Sequence, residues 1–173
     1  MFKRTVLAVG ILALIFVVSG CGQKSLLENK IEKELEKSLG GNAQVNLGDN
    51  SMKIETEQGS IQVGGNASLP KDFPTDIYVI DGEIISAMKN VMGVGYQVAI
   101  KTNTSVKDVK ELYEKKMKEA GWTIVSSMDL GTASVVSASK GKRQLTVSAG
   151  TEEGKEGTAV VLTDMEEQIQ APN

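Results

Sequence analysis

The sequence predicts an α+β protein: an antiparallel β-meander packed on one helix, preceded by an N-terminal helix and a small three-stranded sheet. Three observations carry this expectation. Residues 105–120 repeat apolar side chains at helical spacing, with Val106, Val109, Leu112, Tyr113, Met117 and Ala120 on one face. On either side of that stretch, short runs alternate apolar and polar residues at period two, the pattern of a half-buried strand. Short links containing glycine join many of these runs, and strands grouped around one helix argue for α+β rather than alternating parallel units.

The elements follow in order. Residues 5–18 form an apolar run of 14 behind Lys3 and Arg4. Residues 23–25 read as a polar tether. Residues 25–39 then read as a helix whose apolar positions Leu27, Ile31, Leu35 and Leu39 recur every four residues, with Gly40-Gly41 as the stop. Glu28 and Glu32 stand five residues before Lys33 and Lys37, and Glu36 three residues after Lys33, which points to exposed ion pairs along a helix resting on its own domain by one stripe. A short coiled coil is the alternative, and the stripe is shorter than the three to four heptads it needs.

Between 44 and 63, Val45 and Leu47, then Met52, Ile54 and Thr56, then Ile61 and Val63 alternate, with turns at 48–50 and 58–59. This is the small three-stranded meander. Residues 64–74, with two Gly, two Pro and no periodicity, read as a boundary. A second unit over 69–165 is expected to hold an apolar run at 77–80, strands at 84–91 and 96–102, the helix, and four strands at 122–127, 134–139, 144–149 and 158–163. Ser105 with Asp108 makes a variant capping box, and Gly121 stops the helix. The expected organisation is 1–20 signal, 21–68 tether, helix and small sheet, 69–165 α+β unit, and 166–173 frayed tail.

Composition narrows the chemistry. There is no His and one Cys, so the usual near-neutral general base, an intrachain disulfide and a thiolate zinc site are all missing. Aromatics are 4% and the formal net charge is -3, which argues against a nucleic-acid platform. No metal and no cofactor is expected. Gly93-Val94-Gly95 lacks the third glycine and following helix of a dinucleotide fingerprint and reads as a turn. Asp81 and Glu83 fall short of a calcium loop and read as a solvated hairpin end. No catalytic residue emerges, although a carboxylate or Ser-Lys hydrolase remains a rival reading.

The N-terminus resembles a secretory signal, with a positive start and an apolar run short of the ~20 residues a spanning helix needs. An uncleaved membrane anchor is the alternative. Val18-Ser19-Gly20-Cys21 resembles the lipobox of bacterial lipoproteins at all four positions, and Cys21 is the sole cysteine. That resemblance implies cleavage between Gly20 and Cys21 and lipidation of Cys21. The membrane would then be a partner through covalent lipid, with the chain facing the periplasm or the cell exterior. Several acyl chains at ~0.8 kcal/mol per buried methylene hold durably where one does not. Without Lys3 and Arg4, the 19 basic residues fall to 17 against 22 acidic, a net of -5. Anionic lipid would repel such a chain, so the acyl groups must do the holding.

The stretches LPKDFPTDIYVIDG and LYEKKMKEAGWTIV resemble a recurring module of bacterial envelope lipoproteins, over about residues 69–163. By topology, the unit is also similar to the helix-grip domains of outer-membrane assembly lipoproteins. Both resemblances imply an envelope role and name no catalytic residue. Lys140, Lys142 and Arg143 form a basic cluster at a predicted hairpin tip, a candidate contact surface, with the acidic run Glu152, Glu153 and Glu156 as its expected neighbour. Tyr113 and Trp122, flanking Gly121, are expected as core anchors. The reading is a lipid-anchored, non-catalytic binding or scaffolding module that contacts another envelope protein by sheet faces or strand edges. The rival is a carrier holding an apolar small molecule between helix and sheet, in a cavity lined by Val109, Tyr113, Met117 and strand residues.

Overall fold

The computed structural model describes residues 26–38, 43–48, 50–65, 67–91, 94–151, 154 and 156–166. The signal, the lipobox, residues 23–25, Glu152, Glu153 and the tail beyond Glu166 lie outside the described residues. Helix α1 (Leu26–Ser38) precedes strands β1 (Gln44–Gly48), β2 (Ser51–Glu55) and β3 (Ser60–Gly64). Strands β4 (Glu83–Val91) and β5 (Val94–Thr102) lead into helix α2 (Val106–Glu119). A meander of β6 (Thr123–Asp129), β7 (Ala133–Lys140), β8 (Arg143–Gly150) and β9 (Thr158–Glu166) completes the chain. The protein is therefore α+β, with a helix packed on an antiparallel sheet, as the periodicities predict.

Helix α2 begins and ends where its sequence says it should. The Asp108 amide donates to Ser105 Oγ at 3.2 Å, and the Ser105 hydroxyl donates to the Asp108 carboxylate at 2.7 Å. At the other end Gly121 adopts φ +81°, which an L side chain resists. That turn lets the Gly121 amide donate to the Lys118 carbonyl and the Trp122 amide to the Met117 carbonyl, at 3.1 and 2.9 Å. These are the two bonds of a Schellman stop. The stop also swings Trp122 directly under the helix it ends.

All nine strands join one sheet in the order β1-β2-β3-β4-β5-β9-β8-β7-β6. The three strands expected as a sheet of their own extend the larger one, because β3 pairs with β4 through Ile61 and Met88, and Val63 and Ser86. The aperiodic stretch after β3 is likewise more than a spacer. Helix α2 packs on β6, β7 and β8 only, so the core side chains of β4, β5 and β9 need another cover. The segment 69–80 supplies it: Ile77 and Ile80 are buried in the core, and Leu69, Phe73, Tyr78 and Val79 pack against it.

Several boundaries differ from expectation, three of them for a visible reason. Thr56 leaves β2 and closes the next turn, where its hydroxyl accepts the Gly59 amide at 3.0 Å. Strand β6 ends at Asp129, two residues beyond the expected limit, and β9 runs to Glu166, into the segment expected to fray. Each extended strand has a pairing neighbour there, which supplies hydrogen bonds that local propensity does not foresee.

Side chains on registered cross-strand partners share a face. Ala87, Val98, Leu162, Val147 and Val136 stand in one such row, under α2 and the 69–80 segment. Followed into β3, β2 and β1 that row becomes Gln62, Lys53 and Asn46. The apolar side chains Val45, Ile54 and Ile61 occupy the opposite face. The sheet thus changes its apolar face between β3 and β4.

Helix α1 runs along β1, and two of its glutamates bind the strand. The Val45 amide donates to Glu36 Oε1 at 3.1 Å and the Leu47 amide to Glu32 Oε1 at 2.8 Å. Carboxylates spaced one helical turn apart match alternate residues of a strand, so α1 covers the outer edge of β1.

Candidate functional site

The space between α2 and the sheet is filled. Val109, Tyr113 and Met117 retain 0%, 1% and 2% of their surface, and Val136, Ala138, Leu145 and Val147 on the strands beneath α2 retain 0–2%. A cavity against these side chains would leave them reachable by a water molecule, and they are not. The Tyr113 hydroxyl accepts the Ile80 amide at 3.2 Å, and its ring meets Tyr78 edge-on at 5.7 Å. Burial pushes the Tyr113 phenol well above its ordinary value, so it stays neutral.

The basic cluster at the β7–β8 hairpin divides. Lys142 is exposed at the tip. Lys140 Nζ instead donates to Asp76 Oδ2 at 2.8 Å and to the Ala120 carbonyl at 2.9 Å. Arg143 forks between Asp76, at 3.0 Å, and Asp164, at 3.1 Å, and its guanidinium lies 5.0 Å from the centre of the Trp122 ring. The Trp122 indole N–H donates to the Asp76 carbonyl at 3.2 Å. Two of the three cations are therefore drawn inward to lock the 69–80 segment, the α2 stop and the hairpin together.

The expected acidic neighbour is replaced by Asp76 and Asp164. Glu156 lies in the β8–β9 connection, at the other end of strand β8 from the tip. A signal for Asp164 exists in the sequence. Thr158, Val160, Leu162 and Asp164 alternate inward, and Arg143, Leu145, Val147 and Ala149 do the same on the paired strand. A charge at an inward position needs a partner of opposite sign. Asp76 sits in an aperiodic turn and has no comparable signal.

Burial works to raise the Asp76 carboxyl, but hydrogen bonds from Lys140 and Arg143 outweigh it and hold the group below its ordinary value. The folded chain therefore favours the ionised form. The stability this adds is complete above the unfolded value, about 3.9, and is lost as pH falls through the lower folded value. Asp76→Asn should accordingly cost more at pH 7 than at pH 3 in urea denaturation. An equal cost at both would contradict this assignment.

Two surface depressions mark the sheet. One, of about 630 Å³, is open and polar, lined by Asp81, Glu83, Lys101, Thr102, Asn103 and Thr104. Asp81 and Glu83 are exposed there, as a solvated hairpin end requires. The other, of about 270 Å³, lies beside Leu47, Met52, Val63 and Ala67. Neither reaches between α2 and the sheet.

The larger feature is a face. Opposite α2, strands β4, β5, β9, β8 and β7 present Ser86, Ala99, Val161, Ser148 and Val135 in one registered row. Each is half-buried by its neighbours. Some polar groups are satisfied within the face, as where the Ser137 and Thr146 hydroxyls meet at 3.2 Å. No described element packs on it. It is uncharged along this row and partly apolar, which suits contact with another surface.

Residues 84–157, from β4 to the β8–β9 connection, match a protein-family model described as START domain-like. No curated protein and no solved structure matches the chain. The likeness thus covers helix α2, the five strands β4–β8 and most of the open face, and leaves out α1, β1–β3 and β9.

Proposed function

We propose that the protein is a non-catalytic binding module of the bacterial cell envelope, held to a membrane by lipid on Cys21, and that it presents the open face of β4–β9 to another envelope protein. The single observation that carries this reading is the contrast between the two faces. One is sealed by α2 and the 69–80 segment, and the other has small, half-buried side chains and no described cover. The START domain-like likeness supports a binding role, since it falls on the strands that build this face.

In cells, photo-crosslinkers at Val161 and Ser148 should capture one or two dominant proteins, while one at Lys107 on the outer side of α2 should not. Equal capture from all three positions, or none, would overturn the reading. Anchoring has its own test: Cys21→Ala should move the protein from the membrane to the soluble envelope fraction, and unchanged retention would rule out the lipid.

A second reading, a carrier of an apolar small molecule, is favoured by the family likeness alone. It requires Val109, Tyr113 and Met117 to part from the sheet. Native mass spectrometry of the detergent-extracted protein checks it: a retained apolar molecule would support the carrier, and bare protein would leave the face as the binding surface.

A further inference from the structure

The two edges of the sheet are treated differently. At β1 the outward amides of Val45 and Leu47 are taken by Glu36 and Glu32, so that edge is closed. At β6, the other edge, every residue except Ile124 is exposed. Val125 and Met128 on β6 and Leu130 in the turn after it retain 63%, 50% and 68% of their surface, and are three of the five large apolar side chains exposed among the described residues. Natural edges are guarded by Lys, Pro or bulges. Strand β6 has neither Lys nor Pro, and its one irregularity, between Ile124 and Ser126, leaves the stretch from Ser126 to Asp129 regular.

We propose that β6 is a homotypic edge, through which two copies of this chain pair antiparallel into one continuous sheet. The charges select this occupant. Asp129 is the single charged residue of β6. Parallel pairing would set Asp129 against its own copy, whereas antiparallel pairing centred before it sets Asp129 against an uncharged residue. Helix α2 packs beside β6 and carries the half-buried pair Lys110–Glu114 on that side, with the lysine first. A two-fold axis reverses one helix against the other, so Lys110 of one copy faces Glu114 of its mate, as an isologous interface requires. The Ser127 hydroxyl donates to Glu114, which ties this pair to the edge itself. An axis normal to the sheet would also place both open faces on one side, doubling the contact surface and adding avidity.

Met128 is registered with Val135 at the margin of the open face, but the test reads self-association of the chain and not capture of another protein, so the two proposals fail separately. The full-length chain, extracted in detergent, is weighed by sedimentation equilibrium at about 100 μM, well above a micromolar Kd. Twice the mass of the single chain, read from the same sample under denaturing conditions, is expected. Met128→Lys should weaken association tenfold or more with unchanged far-UV circular dichroism, and Gln44→Lys on β1 should leave the dimer intact. Should Met128→Lys lose its fold, Val125→Lys on the same strand takes its place with the same expected result. A monomeric wild-type chain, or a dimer indifferent to the lysine at β6, would overturn the proposal. So would capture at Met128 of a different protein by a monomeric chain, which would make β6 a site for a foreign strand.

Discussion

Replacing Trp122 with alanine is expected to destabilise the protein by about 3–5 kcal/mol, the largest single loss in the molecule. Trp122 is 3% exposed and sits where the α2 stop, the 69–80 segment and the β7–β8 hairpin converge. Its removal opens a cavity and strips the Asp76 carbonyl of its indole donor and Arg143 of the ring it stacks on. It is also the sole tryptophan, so unfolding must be followed by circular dichroism rather than by its fluorescence. At about 2 kcal/mol per molar of urea, the midpoint should fall by roughly 2 M. A shift equivalent to less than about 1 kcal/mol would show that Trp122 is peripheral.

Arg143→Ala should cost about 3 kcal/mol, near the low end for breaking a buried pair because the Arg143 side chain is 28% exposed. The loss comes chiefly from Asp164, whose side chain is only 7% exposed and would be left without its cation. Lys142→Ala, one residue away at the hairpin tip, should change stability by no more than about 0.5 kcal/mol. Arg143→Met with Asp164→Leu should recover most of the single-variant loss, since removing both charges removes the desolvation cost. Similar costs for Arg143→Ala and Lys142→Ala would restore the hairpin as a surface feature rather than a lock.

These two residues show how far the chain could be read before folding. Trp122 was legible as an anchor, because a large apolar side chain directly after a glycine stop must fall against the helix that has just ended. Arg143 was read with Lys140 and Lys142 as one surface cluster, since three neighbouring cations look alike in sequence. The difference among them is direction: Arg143 and Lys140 stand at inward positions of β8 and β7, and Lys142 occupies the turn. Glu32 and Glu36 have a role that was hidden for a related reason. On an isolated helix they read as surface charges, but a strand edge with free amides also offers a carboxylate strong hydrogen bonds. The filled core was half legible, for the apolar face of α2 was evident while the cover over β4, β5 and β9 came from a stretch with no periodicity at all.

Element type and order follow from local chemistry, because helical and strand periodicities, caps and glycine turns act over a few residues. The α+β class, the strand–strand–helix–meander order and the inward face of α2 were all readable on that scale. The closure of β9 on β5, the joining of β3 to β4, the change of apolar face between them and the pairing of Arg143 with Asp76, 67 residues away, arise only on folding. They depend on which edges and charges meet once the chain is compact. Backbone amides and buried charges take whichever partner the fold brings within reach, and no local pattern records that choice.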